Sequence, residues 1–197
     1  MGSASEIERA ARALDAGELV VFPTETLYGV GCHALRSDAL ARLRHVKQRE
    51  AEKGIAVIVG DRAQLSLLSE DVSPAARRLM ERFWPGPLTL LLPARPGLPH
   101  PLVRDGLVGV RLSSSPTARA LAVAIGAPLA APSANPAGAE PARDIAAARA
   151  YFGGAVAVYL DAGIVAGPPS TLVDPGPPLR ILRAGAVPEE DLRAALG

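Results

Sequence analysis

The side chains able to do chemistry in this chain fall into four short polar clusters: Thr24-Glu25-Thr26, Lys47-Gln48-Arg49, Ser133-Ala134-Asn135 and Ser170-Thr171. Hydroxyl and amide groups donate hydrogen bonds to phosphate or carboxylate oxygens. Lys or Arg neutralises the charge, Arg with a planar two-pronged fork. Brought together, the four clusters would suit a polyanionic ligand such as a nucleotide accompanied by a small carboxylate. Each cluster taken alone has a plainer use. Thr24 and Thr26 can shape a turn after Pro23, and Ser133 and Asn135, between Pro132 and Pro136, can form an Asx-type turn. Lys47 and Arg49 can be solvated cations at a helix terminus, and Arg111 can be half of a structural ion pair.

What the sequence lacks removes many other chemistries. It has no GxxxxGK[ST] phosphate loop, no GxGxxG after a strand, no HExxH, no GxSxG elbow and no paired-cysteine zinc spacing. His33, His45 and His100 are scattered, which disfavours a triad or a histidine-rich metal site. Cys32 is the single cysteine, so an internal disulfide is excluded. A small apolar thiol after a strand is expected to pack rather than react. Trp84-Pro85-Gly86-Pro87 reads as a tight turn anchoring a core Trp.

The elements that must position these clusters follow from periodicity. Helical spacing of apolar residues predicts helices over residues 7–14 (capped by Ser3 or Ser5, ended near Gly17), 39–46 (capped by Ser37), 62–68, 74–83, 117–125, 144–152 and 189–196. Short apolar runs predict strands over 19–22, 55–59, 88–92, 108–112, 129–131, 156–160, 171–173 and 179–182. Thr24 to Tyr28 thus falls in a polar loop at the carboxyl end of a strand, the place where α/β sheets gather ligands. Helices and strands mostly alternate, but consecutive short strands spoil a pure βαβ rhythm. The expectation is an α/β fold with a mixed sheet and helices packed on it, not a regular Rossmann order.

A length of 197 residues with no repeat or linker points to a single domain over 1–197. Aromatics at 4% against 49% hydrophobic residues require an aliphatic core. The 21 basic and 20 acidic side chains nearly cancel, so no whole-molecule field draws the chain to nucleic acid or membrane. No apolar run of membrane-spanning length and no leader pattern occurs, so a cytoplasmic protein is expected.

The residues Phe22-Pro23-Thr24-Glu25-Thr26-Leu27-Tyr28-Gly29-Val30-Gly31 resemble the PTETxYGLG signature of the YrdC-like threonylcarbamoyl-AMP synthase family. The family's further elements follow in order: Lys47 and Arg49 as KxR, WPGPLTL at 84–90, APSAN at 131–135, Pro169-Ser170-Thr171-Leu172-Val173-Asp174, and Ile181-Leu182-Arg183-Ala184-Gly185. One such piece is weak, whereas the ordered series spans nearly the whole chain.

The resemblance implies a twisted mixed sheet bounding a deep basic cavity. It implies a reaction joining L-threonine, bicarbonate and ATP into threonylcarbamoyl-AMP and pyrophosphate, for a downstream threonylcarbamoyl-transferase that modifies tRNA. By resemblance, Lys47 and Arg49 are the catalytic cations and hold phosphate oxygens. Ser133, Asn135 and Arg183 serve the nucleotide; Thr24, Tyr28, Lys53, Arg111 and Ser170 line the threonine side. Mg2+ is expected to arrive with ATP, since no carboxylate cage is visible. Departures from the family pattern are Glu50 for Pro, Gly54-Ile55 for Pro-Leu, Pro169 for Glu, and Ala137 and Pro141 for Ser. Two rival readings stand beside this one: an RNA-binding module of the same fold without turnover, and a carbamoyl-adenylate activity starting from carbamoyl phosphate.

Overall fold

A computed structural model describes residues 3–48 and 54–197. The chain opens with α1 (Ala4–Asp15), whose start is fixed by a reciprocal cap: Ser3 Oγ accepts from the Glu6 amide and the Ser3 amide donates to Glu6 Oε2 at 2.8 Å. Gly17, with φ of 80°, lets the chain turn out of the helix into β1 (Val20–Pro23). The second helix, α2 (Ser37–Lys47), is capped differently from expectation. Ser37 is its first helical residue, while the cap position is Arg36, whose guanidinium instead grips Asp38 and the Asp15 carbonyl. The stretch around 62–68 forms only a 3-10 turn, Ala63–Leu67, rather than an α-helix.

The remaining elements are β2 (Tyr28–His33), β3 (Val57–Val59), α3 (Pro74–Phe83), β4 (Leu88–Pro93), β5 (Val103–Arg104), β6 (Leu107–Leu112), α4 (Pro116–Ala124), β7 (Leu129–Ala130), α5 (Ile145–Phe152), β8 (Val158–Tyr159), β9 (Thr171–Asp174), β10 (Arg180–Arg183) and α6 (Glu189–Leu196). The strands join in one sheet in the order β10-β9-β4-β6-β3-β7-β2-β1-β8, with β5 added beside β6. Pairings are mixed: β1 with β8, β3 with β6 and β4 with β9 run parallel, and the others antiparallel.

Helices cover both faces, and alternation along the strands supplies both cores. Val20 and Phe22 join Ala10, Leu14, Ala118 and Leu121 beneath α1 and α4. Val21, Val57, Val59, Leu88 and Leu90 point the other way, toward Leu40, Leu43, Leu79 and Leu192. Trp84 is the anchor expected of its turn, buried with Nε1 donating to the Leu88 carbonyl at 2.7 Å. Cys32 is fully buried, and desolvation pushes its thiol up to about 12, so it packs as an apolar side chain.

β2 was not expected from the periodicity, because Gly29, Gly31 and Cys32 give it little strand propensity. Pairing makes it a strand: it zips antiparallel to β1 from Val20↔Gly31 to Pro23↔Tyr28. Gly31 is demanded by close approach, since a Cβ there would stand 2.3 Å from the Ala130 carbonyl oxygen. At the end of β2, His33 Nδ1 accepts the Leu35 amide hydrogen at 3.2 Å, which requires the neutral ring. Burial is the main reason that its pKa lies below the ordinary imidazole value. A lowered folded pKa contributes stability above the unfolded value near pH 6.5, and that stability is lost as pH falls. The urea midpoint should therefore drop from pH 7.5 to 5.5 by more in the wild type than in His33→Gln. Equal drops would remove His33 from the account.

Candidate active site

A cavity of about 750 Å³ opens over the middle of the sheet, within the size range of small-ligand sites. Its wall is built from the turn after β1, the approach to β3, the segments 131–133 and 140–143, the segment 166–170, and side chains from β4, β6, β9 and β10. Of the residues singled out from sequence, Thr24, Tyr28, Arg111, Ser133, Ser170 and Arg183 all line it. Residues more than 150 positions apart in the chain are thereby brought to one wall.

Each of these side chains is already held by the fold. Thr24 closes its own turn: Oγ1 donates to the Leu27 carbonyl at 2.6 Å and accepts from the amides of Thr26 and Leu27 at 3.2 and 3.1 Å. Both readings of this loop are therefore met at once, since it is a turn and it faces the cavity. Tyr28 is among the residues of the cavity wall, but its hydroxyl is engaged away from it. That hydroxyl donates to the Gly163 carbonyl at 2.8 Å and accepts from the Ala162 amide at 2.9 Å, tying down the segment after β8. Burial raises the Tyr28 pKa, so the phenol stays protonated.

Arg111 is 7% exposed and donates from Nη1 to Glu25 Oε1 at 3.0 Å, while Ser113 Oγ holds the other carboxylate oxygen. The ion pair envisaged from sequence exists, and its Arg111 half lines the cavity. Burial is the leading cause that lowers the Arg111 pKa; Glu25 opposes this and the charge of Arg183 adds to it. Arg183 differs. It donates to the Ser170 carbonyl from Nε (3.0 Å) and Nη2 (2.9 Å) and to Ser170 Oγ at 2.9 Å, with no carboxylate partner among the described residues. Desolvation lowers its pKa, yet a guanidinium remains charged at neutral pH. Arg111 is thus neutralised by Glu25, whereas Arg183 has no carboxylate counter-charge among the described residues.

Lys47 and Asn135 stand behind the wall rather than in it. The Lys47 ammonium, 3% exposed, donates to the carbonyls of Ser133 and Asn135, the latter at 2.6 Å. The Asn135 amide donates to the carbonyls of Pro136 (3.0 Å) and Ala139 (2.7 Å), and its Oδ1 accepts from Ser133 Oγ at 2.6 Å. In this arrangement both shape the loop that presents Ser133. Arg49 and Lys53 lie outside the described residues.

Two cavity residues, Arg143 and Thr89, and the Arg111 partner Glu25 take places that the sequence did not assign them. Arg143 is exposed on the rim; its carbonyl accepts from the Val165 amide at 2.7 Å, while its guanidinium has no hydrogen-bond partner among the described residues. No motif surrounds it. Glu25 stood within the first signature, but only the fold shows it facing Arg111. Thr89 stood within WPGPLTL, and its signal was being the lone polar side chain of an apolar strand. Gly185 owes its place in the last motif to packing: a Cβ there would lie 2.2 Å from the Pro169 carbonyl oxygen. Its absence lets the segment after β10 press against the backbone that carries Ser170. Among the described residues no three His, Cys, Asp or Glu side chains converge on a metal-sized site. No helix among them is long and apolar enough to cross a membrane.

Comparison with known proteins agrees with this geometry. The chain resembles the threonylcarbamoyl-AMP synthase of Bacillus subtilis (strain 168), 37% identical over 98% of this chain and 57% of that protein. It also resembles the threonylcarbamoyl-AMP synthase of Chromohalobacter salexigens, 41% identical over 78% of this chain and 84% of that protein. The crystal structure of Pyrococcus abyssi Sua5 complexed with L-threonine superposes with a TM-score of 0.92 at 34% identity, covering 97% of this chain and 57% of that one. The chain therefore spans little more than half the length of the B. subtilis and P. abyssi relatives. The profile of the Sua5/YciO/YrdC family, described as telomere recombination, matches residues 12–185, and the chain belongs to that family.

Proposed function

We propose that this protein is an L-threonylcarbamoyladenylate synthase, a nucleotidyltransferase that converts L-threonine, bicarbonate and ATP into threonylcarbamoyl-AMP, pyrophosphate and water. The observation that carries the reading is the Arg183 guanidinium in the cavity wall, which has no carboxylate partner among the described residues. Arg183 spends Nε and Nη2 on Ser170, and its Nη1 amino group has no partner among the described residues. A cation so placed favours an anionic ligand, and relatives named for this activity share the fold around it.

The chemistry asks little of protein nucleophiles. The threonine amine captures carbon dioxide or bicarbonate as a carbamate. A carbamate oxygen then forms a bond to the α-phosphorus of ATP as the bond to pyrophosphate breaks. Such a displacement needs positioned reactants and donors aimed at developing charge, which hydroxyls, amides and guanidinium groups supply. On this reading Ser133 and Arg183, with Lys47 behind the Ser133 loop, serve the nucleotide, and Thr24, Arg111 and Ser170 the amino acid. Arg49 and Lys53 complete the set as phosphate and carboxylate partners. Mg2+ would enter with the nucleotide and offset its phosphate charge, since no three His, Cys, Asp or Glu side chains among the described residues converge on a site of their own for it. The product passes to a threonylcarbamoyl-transferase acting on tRNA, in the cytoplasm. An RNA-binding role gains little support from a cavity wall whose single aromatic ring is Tyr28.

The test is isotopic. With 13C-bicarbonate, L-threonine and ATP, mass spectrometry should find one product containing AMP, threonine and the labelled carbon. Label incorporated from carbamoyl phosphate without threonine would replace this reading with the carbamoyl-adenylate one.

A further inference from the structure

β4 alternates strictly in its first residues: Leu88, Leu90 and Leu92 are fully buried in the core, while Thr89 looks to the opposite face and lines the cavity. At 2% exposure its hydroxyl must find a partner or carry a desolvation penalty. Its partner is Ser170, with Oγ1 and Oγ 2.9 Å apart. Ser170 Oγ also receives an N–H from Arg183 Nη2 at 2.9 Å, and a guanidinium can only donate.

Counting donors and acceptors then leaves two arrangements for the group. Two hydroxyls hold two hydrogens, and one of these is used in the contact between them. No other acceptor for either hydroxyl exists among the described residues, so the second hydrogen has only the cavity as its outlet. When Thr89 donates to Ser170, both lone pairs of Ser170 Oγ are filled, one by Thr89 and one by Arg183. Ser170 accepts from Arg183 in either arrangement, and at 7% exposure against 2% for Thr89 it is the better placed of the two to turn its hydrogen to the cavity. With Thr89 as donor, Ser170 is left as a pure donor beside the Arg183 cation.

We propose that Thr89 is a positioning residue that locks Ser170 and Arg183 into a donor-only subsite for one oxyanion of the ligand. The inference rests on the synthase reading for the identity of the ligands. The oxyanion is either the carboxylate of the amino acid, which moves Arg183 to the amino-acid side, or a phosphate oxygen of the nucleotide, which moves Ser170 to the nucleotide side, and the experiment separates the two.

Thr89→Val keeps the shape and deletes the hydroxyl; Thr89→Ser keeps the hydroxyl. Dissociation constants for L-threonine and for Mg-ATP are measured separately by titration calorimetry, with pyrophosphate release followed in parallel. Loss of one neutral hydrogen bond that orders a ligand donor should weaken binding about fivefold. The expected result is that weakening for one ligand in Thr89→Val, an unchanged constant for the other, and Thr89→Ser within about twofold of wild type, in the range of a largely retained hydrogen bond. The affected ligand identifies the oxyanion. Wild-type affinity for both ligands in Thr89→Val would overturn the proposal, as would a Thr89→Ser protein as weak as Thr89→Val, because packing and not the hydroxyl would then matter. A wild-type protein that binds neither ligand overturns it too. Wild-type binding without pyrophosphate release would instead remove the synthase reading alone, and the two variants would still decide the subsite.

Discussion

Glu25→Gln is expected to destabilise the protein by about 3 kcal/mol, because it leaves the Arg111 guanidinium buried without its counter-charge. The pair lies with side-chain exposures of only 8% and 14%, so solvent screening gives little relief. The amide can still accept one hydrogen bond from Arg111, but it cannot neutralise it, and Ser113 loses a charged acceptor. The pair as a whole need not stabilise the fold, since removing both charges is often close to neutral. The double variant Glu25→Gln, Arg111→Met should thus recover most of what the single variant loses. Urea unfolding of the four proteins measures this coupling directly. A single variant within about 0.5 kcal/mol of wild type, the scatter of ordinary surface substitutions, would mean that the pair is far better hydrated than its burial implies.

Lys47→Met should cost at least about 100-fold in kcat/KM, since the buried ammonium makes charge-assisted bonds to two carbonyls, each of a class worth about 1.5–3 kcal/mol. Those carbonyls belong to Ser133 and Asn135, so losing the ammonium releases the loop that presents Ser133 to the cavity. The Ala137 amide, which donates to the Lys47 carbonyl at 2.9 Å, holds the same loop from the backbone and survives the substitution. The loop should therefore loosen without unfolding. Amide hydrogen exchange over residues 133–142 should accelerate in Lys47→Met with no ligand present. Lost activity with unchanged exchange would show that Lys47 acts on the ligand itself and is no strut.

Much of the fold could be read from periodicity, because long helices and buried strands advertise themselves. Residues 74–83 and 189–196 became α3 and α6 with the same bounds. The failures share a cause: elements made by pairing rather than by local preference. β2 is a strand because β1 and β7 flank it, and the 3-10 turn at Ala63–Leu67 is held by Gln64, which accepts from the Gly60 amide and donates to the Ala122 carbonyl. For the site, motif order brought six residues to one wall, but it could not say which face the wall and which stand behind it. Lys47 and Asn135 look alike to Ser133 as polar letters in a signature. Only the fold shows them as supports of the Ser133 loop. Arg143 was silent in sequence because its place on the rim depends on how the segment after Pro141 crosses the cavity. Thr89 could have been found from one signal, a polar residue in a strand that is otherwise apolar.

The measurement that bears most directly on the synthase reading is pyrophosphate release from ATP and bicarbonate, with and without L-threonine, in the wild type and in Arg183→Met. Release that depends on threonine and falls at least about tenfold in the variant, the loss of one charged hydrogen bond, is the predicted result. Release that ignores threonine, or that persists undiminished without the Arg183 charge, would contradict both the reaction and the cavity assigned to it.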